Sequence, residues 1–237
     1  AYSIEDQRFI HIMEHGIHKN ELGNWELPLP FCSPSVRLPD NREHAIKRFN
    51  NLRRTFVRRP KMKRDYFQFM EKLLKRSHAV QLTKAKKVQQ QDRVDSEKRN
   101  VWYLPHFGVY HPNKPENIRV VFDSSSEYQG TSLNKELLSG PDVLNSLLGI
   151  LMRFRQETVG VACDIDQMFH CFYVNPKDRD VLRFFWFKDN NPNEEIVEYH
   201  MTVHLFGNTL SPAIATFGLG KTAVDGEEKF GESAKEF

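Results

Sequence analysis

The chain has 237 residues, 39% of them apolar and 18 of them Phe, enough for one large domain or two small ones around a sizeable core. That composition excludes a disordered or fibrous chain. The net charge of +3 hides an asymmetry: residues 42–99 hold 19 Lys and Arg against 6 Asp and Glu, while the remainder is acidic. A basic block beside an acidic remainder suggests a polyanion-binding face joined to a part that holds cations; a pair of solvated helices is the plainer alternative.

Cys32, Cys163 and Cys171 are odd in number and follow no zinc-site spacing. No signal peptide or long apolar run is present, so a reducing, intracellular compartment is expected. Ala1 is not an initiator Met, and the chain is expected to have been excised from something longer.

Residues 1–40 carry Pro28, Pro30, Pro34 and Pro39 and read as an irregular linker or strap. Asp40 with Glu43 can cap a helix start. Ala45, Phe49, Leu52 and Phe56 then recur at helical spacing up to Pro60. A second helix follows, with Tyr66, Phe69, Met70, Leu73 and Leu74 on one face. Residues 81–99 are polar and read as helix end and loop. The character changes near Val101. Val101–Leu104 and Arg119–Phe122 read as strands joined by a Pro- and His-containing loop. Leu144–Arg155 reads as a helix with Leu147, Leu148, Leu151 and Phe154 in its apolar set, and Val159–Cys163 as a short buried strand. Cys171–Val174 and Leu182–Phe187 are further strands. Val197, Tyr199, Met201 and Val203 alternate, so 196–203 is expected to be a half-buried strand paired with 182–187 across Asp189-Asn-Asn-Pro192. Ser211–Val224 closes as a helix. This order predicts an α+β fold.

Three constellations could carry chemistry. In the run from Val161 to Phe169, an apolar segment ends at Asp164, with Asp166 two residues on. A carboxylate at a strand end beside a turn can hold Mg²⁺, which takes oxygen ligands and shares them with substrate phosphates. The plainer alternative is that Asp164 caps the following turn. Arg119, heading Arg-Val-Val-Phe-Asp123, can meet a phosphate with a forked contact, or simply pair with Asp123 or Glu116. In Leu205-Phe-Gly-Asn-Thr-Leu-Ser-Pro-Ala213, Gly207 permits close backbone approach or positive φ. Ser211 there is a natural N-cap with Pro212 at the first helical position.

The order of these motifs, and the phrases WYLPHFGV, RVVFDSSSEYQGTSLNKELLSGPD, ACDIDQMFHCFYV, DRDVLRFFWF and HLFGNTLSPAIA, resemble the reverse transcriptase of BEL/Pao long-terminal-repeat retrotransposons. The earlier LPFCSPSVRLPDNREHAIKRFNNL resembles the lead-in between protease and polymerase in such polyproteins. The likeness covers nearly the whole chain.

The resemblance implies a right-hand polymerase with a helical N-terminal lead-in: a linker or strap over 1–40 that follows the upstream polyprotein region, a basic helical fingers segment over 41–100, and fingers plus partial palm over 101–237. It implies two-metal addition of dNTPs to a primer 3′-hydroxyl, with Mg²⁺ or Mn²⁺ as cofactor and an RNA template and DNA primer as partners. Asp164 matches the first metal-binding aspartate, and the Ile165 carbonyl a further metal ligand. Gln167 and Met168 would offer N–H groups to the incoming triphosphate, and Phe169 would exclude a 2′-hydroxyl. Arg119 matches an arginine on the triphosphate, with Lys114 a looser lysine partner. Gly207, Ser211 and Pro212 match the motif beside the templating pair. Where many retroviral enzymes carry Gln before that Gly, this chain has Phe206. Arg53, Arg54, Arg58, Lys61 and Lys63 are expected to grip the template–primer backbone. No aromatic-x-Asp-Asp motif precedes Phe237, so the chain is expected to stop before the second catalytic motif and to be inactive as it stands. The resemblance also implies the remainder of the polyprotein (protease, ribonuclease H, integrase) as partners, and a cytoplasmic, particle-associated location without a membrane. The reading from another class is a non-catalytic nucleic-acid-binding remnant or a domesticated retroelement protein. A carboxylate-metal nuclease is a third, without an acidic cluster to support it.

Overall fold

In the computed structural model, which describes residues 2–82, 100–142, 147–156, 158–161 and 163–231 apart from the side chains at 114, 228 and 229, the first forty residues are not the irregular strap that their prolines suggest. They open with helix α1, Ile4–Gly16. Ser3 accepts the Asp6 N–H, and the Asp6 carboxylate accepts the Ser3 N–H at 3.0 Å, a reciprocal cap for two otherwise unpaired donors. Phe9 and Met13, one turn apart, are buried, each stabilising the docked helix by about 2 kcal/mol. Two buried positions are too few to announce a helix by periodicity.

Strands β1 (His18–Lys19) and β2 (Trp25–Leu27) follow, and β2 runs parallel to β6 (Tyr173–Val174). The Leu29 N–H donates to Asp178 at 3.0 Å and the Cys32 N–H to the Glu136 carbonyl at 2.8 Å. The lead-in is thereby stitched to segments more than a hundred residues away.

Helices α2 (Arg42–Arg58) and α3 (Pro60–Lys75) form as the 3.6-residue periodicity dictates. They bury Ala45, Phe49, Leu52 and Phe56 on one, and Met62, Tyr66, Met70 and Leu73 on the other. Pro60 starts α3, where its missing N–H costs nothing. The expected box of Asp40 and Glu43 does not form. Asp40 accepts the Arg42 N–H at 2.9 Å, but Asn41 is the N-cap, and its amide is spent on the backbone of Tyr103.

Strand β3 (Ala79–Gln81) pairs with β8 (Ile196–Met201), and β8 with β7 (Arg183–Phe187), all antiparallel. The β7–β8 pairing and its turn agree with the sequence reading. β7 is buried at every position: Trp186 and Phe187 meet Phe49 on α2 and Phe67 on α3, while Phe184 and Trp186 meet His106. Trp186 stacks on Tyr66 at 5.4 Å between centroids, and its Nε1–H donates to Asn190. His106 fills the space beside them, bonded to the Tyr66 hydroxyl and the Phe185 carbonyl. Glu198, buried on β8, meets Arg42, Arg183 and the Tyr103 hydroxyl, so its charge is compensated.

Several expectations fail. Val101–Leu104 makes one bridge, Tyr103 to Arg183, and is not a strand. The hairpin is instead β4 (His106–His111) with β5 (Lys114–Phe122), so most of the stretch read as a loop is paired. The strand near 171–174 shrinks to β6, because Met168–Cys171 is a one-turn 3₁₀ helix. A short helix α4 (Leu133–Glu136) precedes α5 (Leu147–Phe154). Leu147, Leu148, Leu151 and Phe154 are all exposed on α5, not packed. Described residues of 159–163 form no strand, and Val159 and Val161 are exposed, since no strand among the described residues lies beside them. Helix α6 (Ser211–Phe230) runs past Val224. Ser211 is its first residue and not its cap: buried, it donates its hydroxyl to the Leu205 carbonyl. Residues 83–99 and 143–146, which carried a loop and the start of a helix in the sequence reading, lie outside the described residues. Among the described residues no helix is long and apolar enough to cross a membrane. The fold is mixed α and β with a helix at its N-terminal end.

Candidate nucleotide-binding site

The site is built by the β4–β5 hairpin, the turn after Asp164 and the loop before α6. In the hairpin register Val109 faces Arg119, which leaves Arg119 exposed while its neighbour Val120 is buried. Among the described residues no carboxylate pairs with Arg119. Its guanidinium lies 5.5 Å from the centroid of the Phe206 ring, and that ring lies 5.5 Å from the ring of Phe169.

Gln167 adopts a left-handed backbone, φ 53, which turns the chain into the 3₁₀ helix. Such a conformation costs a non-glycine residue about 1–3 kcal/mol and is concentrated at functional sites. The His170 N–H donates to the Gln167 carbonyl at 2.7 Å, closing the turn. The His170 ring packs edge-on against His78 at 5.2 Å. Burial holds both imidazoles below their ordinary value, His170 down to about 4, so the pair is neutral at neutral pH.

Gly207 has φ 114, and a Cβ there would stand 3.2 Å from the Phe122 carbonyl oxygen. Glycine is therefore required both by conformation and by the closeness of β5. Asn134 clamps the loop, donating to the Gly207 carbonyl at 3.2 Å and accepting the Thr209 N–H at 3.1 Å.

These pieces enclose a cavity of about 600 Å³ lined by Arg119, Asp164, Gln167, Met168, Phe169 and Phe206, six residues singled out in sequence. Gly207, Ser211, Pro212 and Ile165 do not line it, and the Lys114 side chain lies outside the described ones. A larger cavity, about 780 Å³, lies beneath α1 against Leu29, Phe31 and Asp178 and gathers none of the singled-out residues. We attach the function to the smaller one because charge, carboxylate and aromatic shelf meet there.

Sequence reasoning missed Phe69, Val109, His111, Asn117 and His170, which also line the cavity. The hairpin wall was hidden in a stretch read as loop. The alternation of exposed Phe107, Val109 and His111 ahead of the Pro112-Asn113 turn was the available signal.

The basic residues lie on α2 and α3. Arg53, Arg54, Arg58 and Lys61 are exposed and Lys63 half-buried. Lys61 is engaged by Asp65 at 3.1 Å and Glu116 at 3.3 Å.

A divalent cation fits poorly on the described residues alone. Asp164 is exposed, but Asp166 is paired with Arg76, and no group of three or more His, Cys, Asp or Glu converges among the described residues. One carboxylate is supplied where a metal-dependent transferase needs at least one more.

A scan against protein-family models gives no match for the chain, and a search of curated proteins gives none.

Proposed function

We propose that this chain carries the nucleotide-binding half of an RNA-directed DNA polymerase of the BEL/Pao type, with fingers and part of a palm. The observation that carries the reading is the single cavity shared by Arg119, Asp164, Phe169 and Phe206, residues that lie in three separate stretches of sequence. Arg119 offers five N–H donors to a triphosphate, with no carboxylate among the described residues to neutralise it. The Phe169 ring forms a wall of the cavity against which a sugar lacking a 2′-hydroxyl can lie. The N–H groups of the Gln167–Met168 turn are phosphate donors of the kind a tight turn supplies. The exposed arginines of α2 and α3 suit a nucleic-acid backbone. The catalytic ions require carboxylates from outside the described residues in addition to Asp164. An RNA template, a DNA primer and the other polyprotein domains are the partners this reading entails.

The test is equilibrium binding of dTTP with Mg²⁺ by calorimetry. Removing a charge-assisted hydrogen bond costs about 1.5–3 kcal/mol, so Arg119→Ala should weaken dTTP roughly tenfold or more. Unchanged affinity in the folded variant sinks the reading. The second reading, a nucleic-acid-binding module without catalysis, is favoured by the lone carboxylate and the basic helices. It predicts duplex binding with no dTTP binding at all.

A further inference from the structure

Arg119 needs something to hold it. It stands on the exposed side of a two-stranded hairpin, where a long side chain samples many rotamers. A carboxylate could fix it, but would compete with phosphate for the same N–H donors. Among the described residues none does so. What lies beneath the guanidinium instead is the Phe206 ring, 5.5 Å from its centroid. Phe206 is 54% exposed, so its ring is open to the guanidinium and not sealed into the core.

We infer that Phe206 is the positioning residue for Arg119: its ring face holds the guanidinium over the cavity while leaving every N–H free for a phosphate. A cation over an aromatic face is attracted to the ring quadrupole and keeps its donors at the rim. Phe206 is itself fixed from two sides. The Phe169 ring packs against it at 5.5 Å, and its backbone runs into Gly207, which is pressed on the Phe122 carbonyl and clamped by Asn134. Arg119, Phe206 and Phe169 thus form a continuous run of contacts lining the cavity, the two rings tilted by 47° to one another. That run links the group that would meet the triphosphate to the ring that would meet the sugar. This inference rests on the nucleotide-site reading above and adds to it the means by which the arginine is aimed.

The experiment is a double-mutant cycle read by calorimetry with dTTP and, separately, thymidine. The variants are Phe206→Leu, Phe206→Tyr, Arg119→Ala and the double variant Phe206→Leu/Arg119→Ala. Phe206 is too exposed for its loss to open the core, and circular dichroism verifies folding. Phe206→Leu should weaken dTTP several-fold, the scale of an exposed cation–π contact, and leave thymidine unchanged. Phe206→Tyr keeps the ring face and should restore wild-type affinity. In the Arg119→Ala background, Phe206→Leu should cost nothing further, because its effect passes through the arginine. Equal losses for dTTP and thymidine, or an undiminished loss in the Arg119→Ala background, would mean that Phe206 touches the nucleoside directly and would overturn the inference. Unchanged dTTP affinity in Phe206→Leu overturns the inference and spares the nucleotide site. A wild-type chain that binds no dTTP overturns both.

Discussion

Arg76, just past the C-terminal end of α3, stands 3.7 Å from Asp166, two residues beyond Asp164. With the ring contact of His78 on His170, this ties the end of the basic helix to the turn that lines the cavity. The pair is half in solvent, so it contributes at most a fraction of a kcal/mol to stability. Its consequence is selective: Asp166 has a cation and Asp164 has none among the described residues. We expect Asp164→Asn to abolish the Mg²⁺-dependent part of dTTP binding, and Asp166→Asn to leave most of it. Titration of dTTP with and without Mg²⁺ reads both, and equal loss in the two variants contradicts the assignment.

The basic face divides by engagement. Arg53 and Arg54 touch Asn50 and Asn51, and Arg58 has no carboxylate partner among the described residues, whereas Lys61 is held between Asp65 and Glu116. Charge reversal at Arg53, Arg54 and Arg58 should flatten the slope of log affinity for an RNA–DNA duplex against log salt by about 0.9 for each phosphate no longer neutralised. Lys61→Ala should change that slope far less, since its charge is already spent. Fluorescence anisotropy across a salt series measures this, and an unchanged slope in the triple variant moves the duplex elsewhere.

Two buried histidines and one half-buried one make the fold acid-sensitive. Burial holds His106, His170 and His204 down to about 4 from 6.5. Below pH 6.5 the unfolded chain takes up protons that the folded chain refuses. Stability is therefore complete above pH 6.5 and lost as the pH falls toward about 4, at about 1.4 kcal/mol per unit for each imidazole. The thermal midpoint should fall steadily from pH 7 to pH 4.5. His204 is fully buried with its Nδ1 unpartnered, so His204→Leu should flatten the fall. A midpoint independent of pH over that range contradicts the burial of these rings.

What was legible in the sequence is what local pattern controls. Helices α2 and α3 repeat an apolar residue every turn over four turns, and the β7–β8 turn carries Asp189 and Asn190, which tolerate the left-handed backbone they adopt. α1 was illegible because its buried face is two residues. β4 was illegible because His106, a polar residue, is its most enclosed position, held there by Tyr66 and the Phe185 carbonyl far away in sequence. The meeting of Arg119, Asp164 and Phe206 in one cavity depends on tertiary contacts that no spacing encodes. Apolar content also misled: Val159, Val161 and the α5 leucines read as core because apolar residues usually are, yet here they face solvent.

That exposed surface has a consequence of its own. Leu147, Leu148 and Met152 on α5 are each more than 60% exposed, and Val159 and Val161 more than 70%. Apolar groups gathered on one stretch in this way favour association. The chain should show concentration-dependent self-association in sedimentation velocity, and Leu148→Lys with Leu151→Lys should return it toward monomer. A wild-type chain that stays monomeric at tens of micromolar contradicts the expectation.

Finally, the 237 residues should not extend a primer unaided. Two-metal transfer needs ions about 4 Å apart, held by carboxylates that converge from different segments. The acids that follow Asp164 in the sequence have other partners. Asp166 takes Arg76, Asp180 takes Arg183 at 2.7 Å, and Asp178 accepts the Leu29 N–H while burial raises its carboxyl above the usual range. No three metal-ligating side chains converge among the described residues. The loss of one essential ion is expected to slow the chemical step by several kcal/mol, on the order of 10³-fold or more. The measurement is primer extension on an RNA template with Mg²⁺ or Mn²⁺, comparing this chain with one joined to a further segment that supplies an Asp-Asp pair. Synthesis by the longer chain, lost again on Asp164→Asn, is the expected result. Robust synthesis by the 237 residues alone would mean that the catalytic acids have been misassigned.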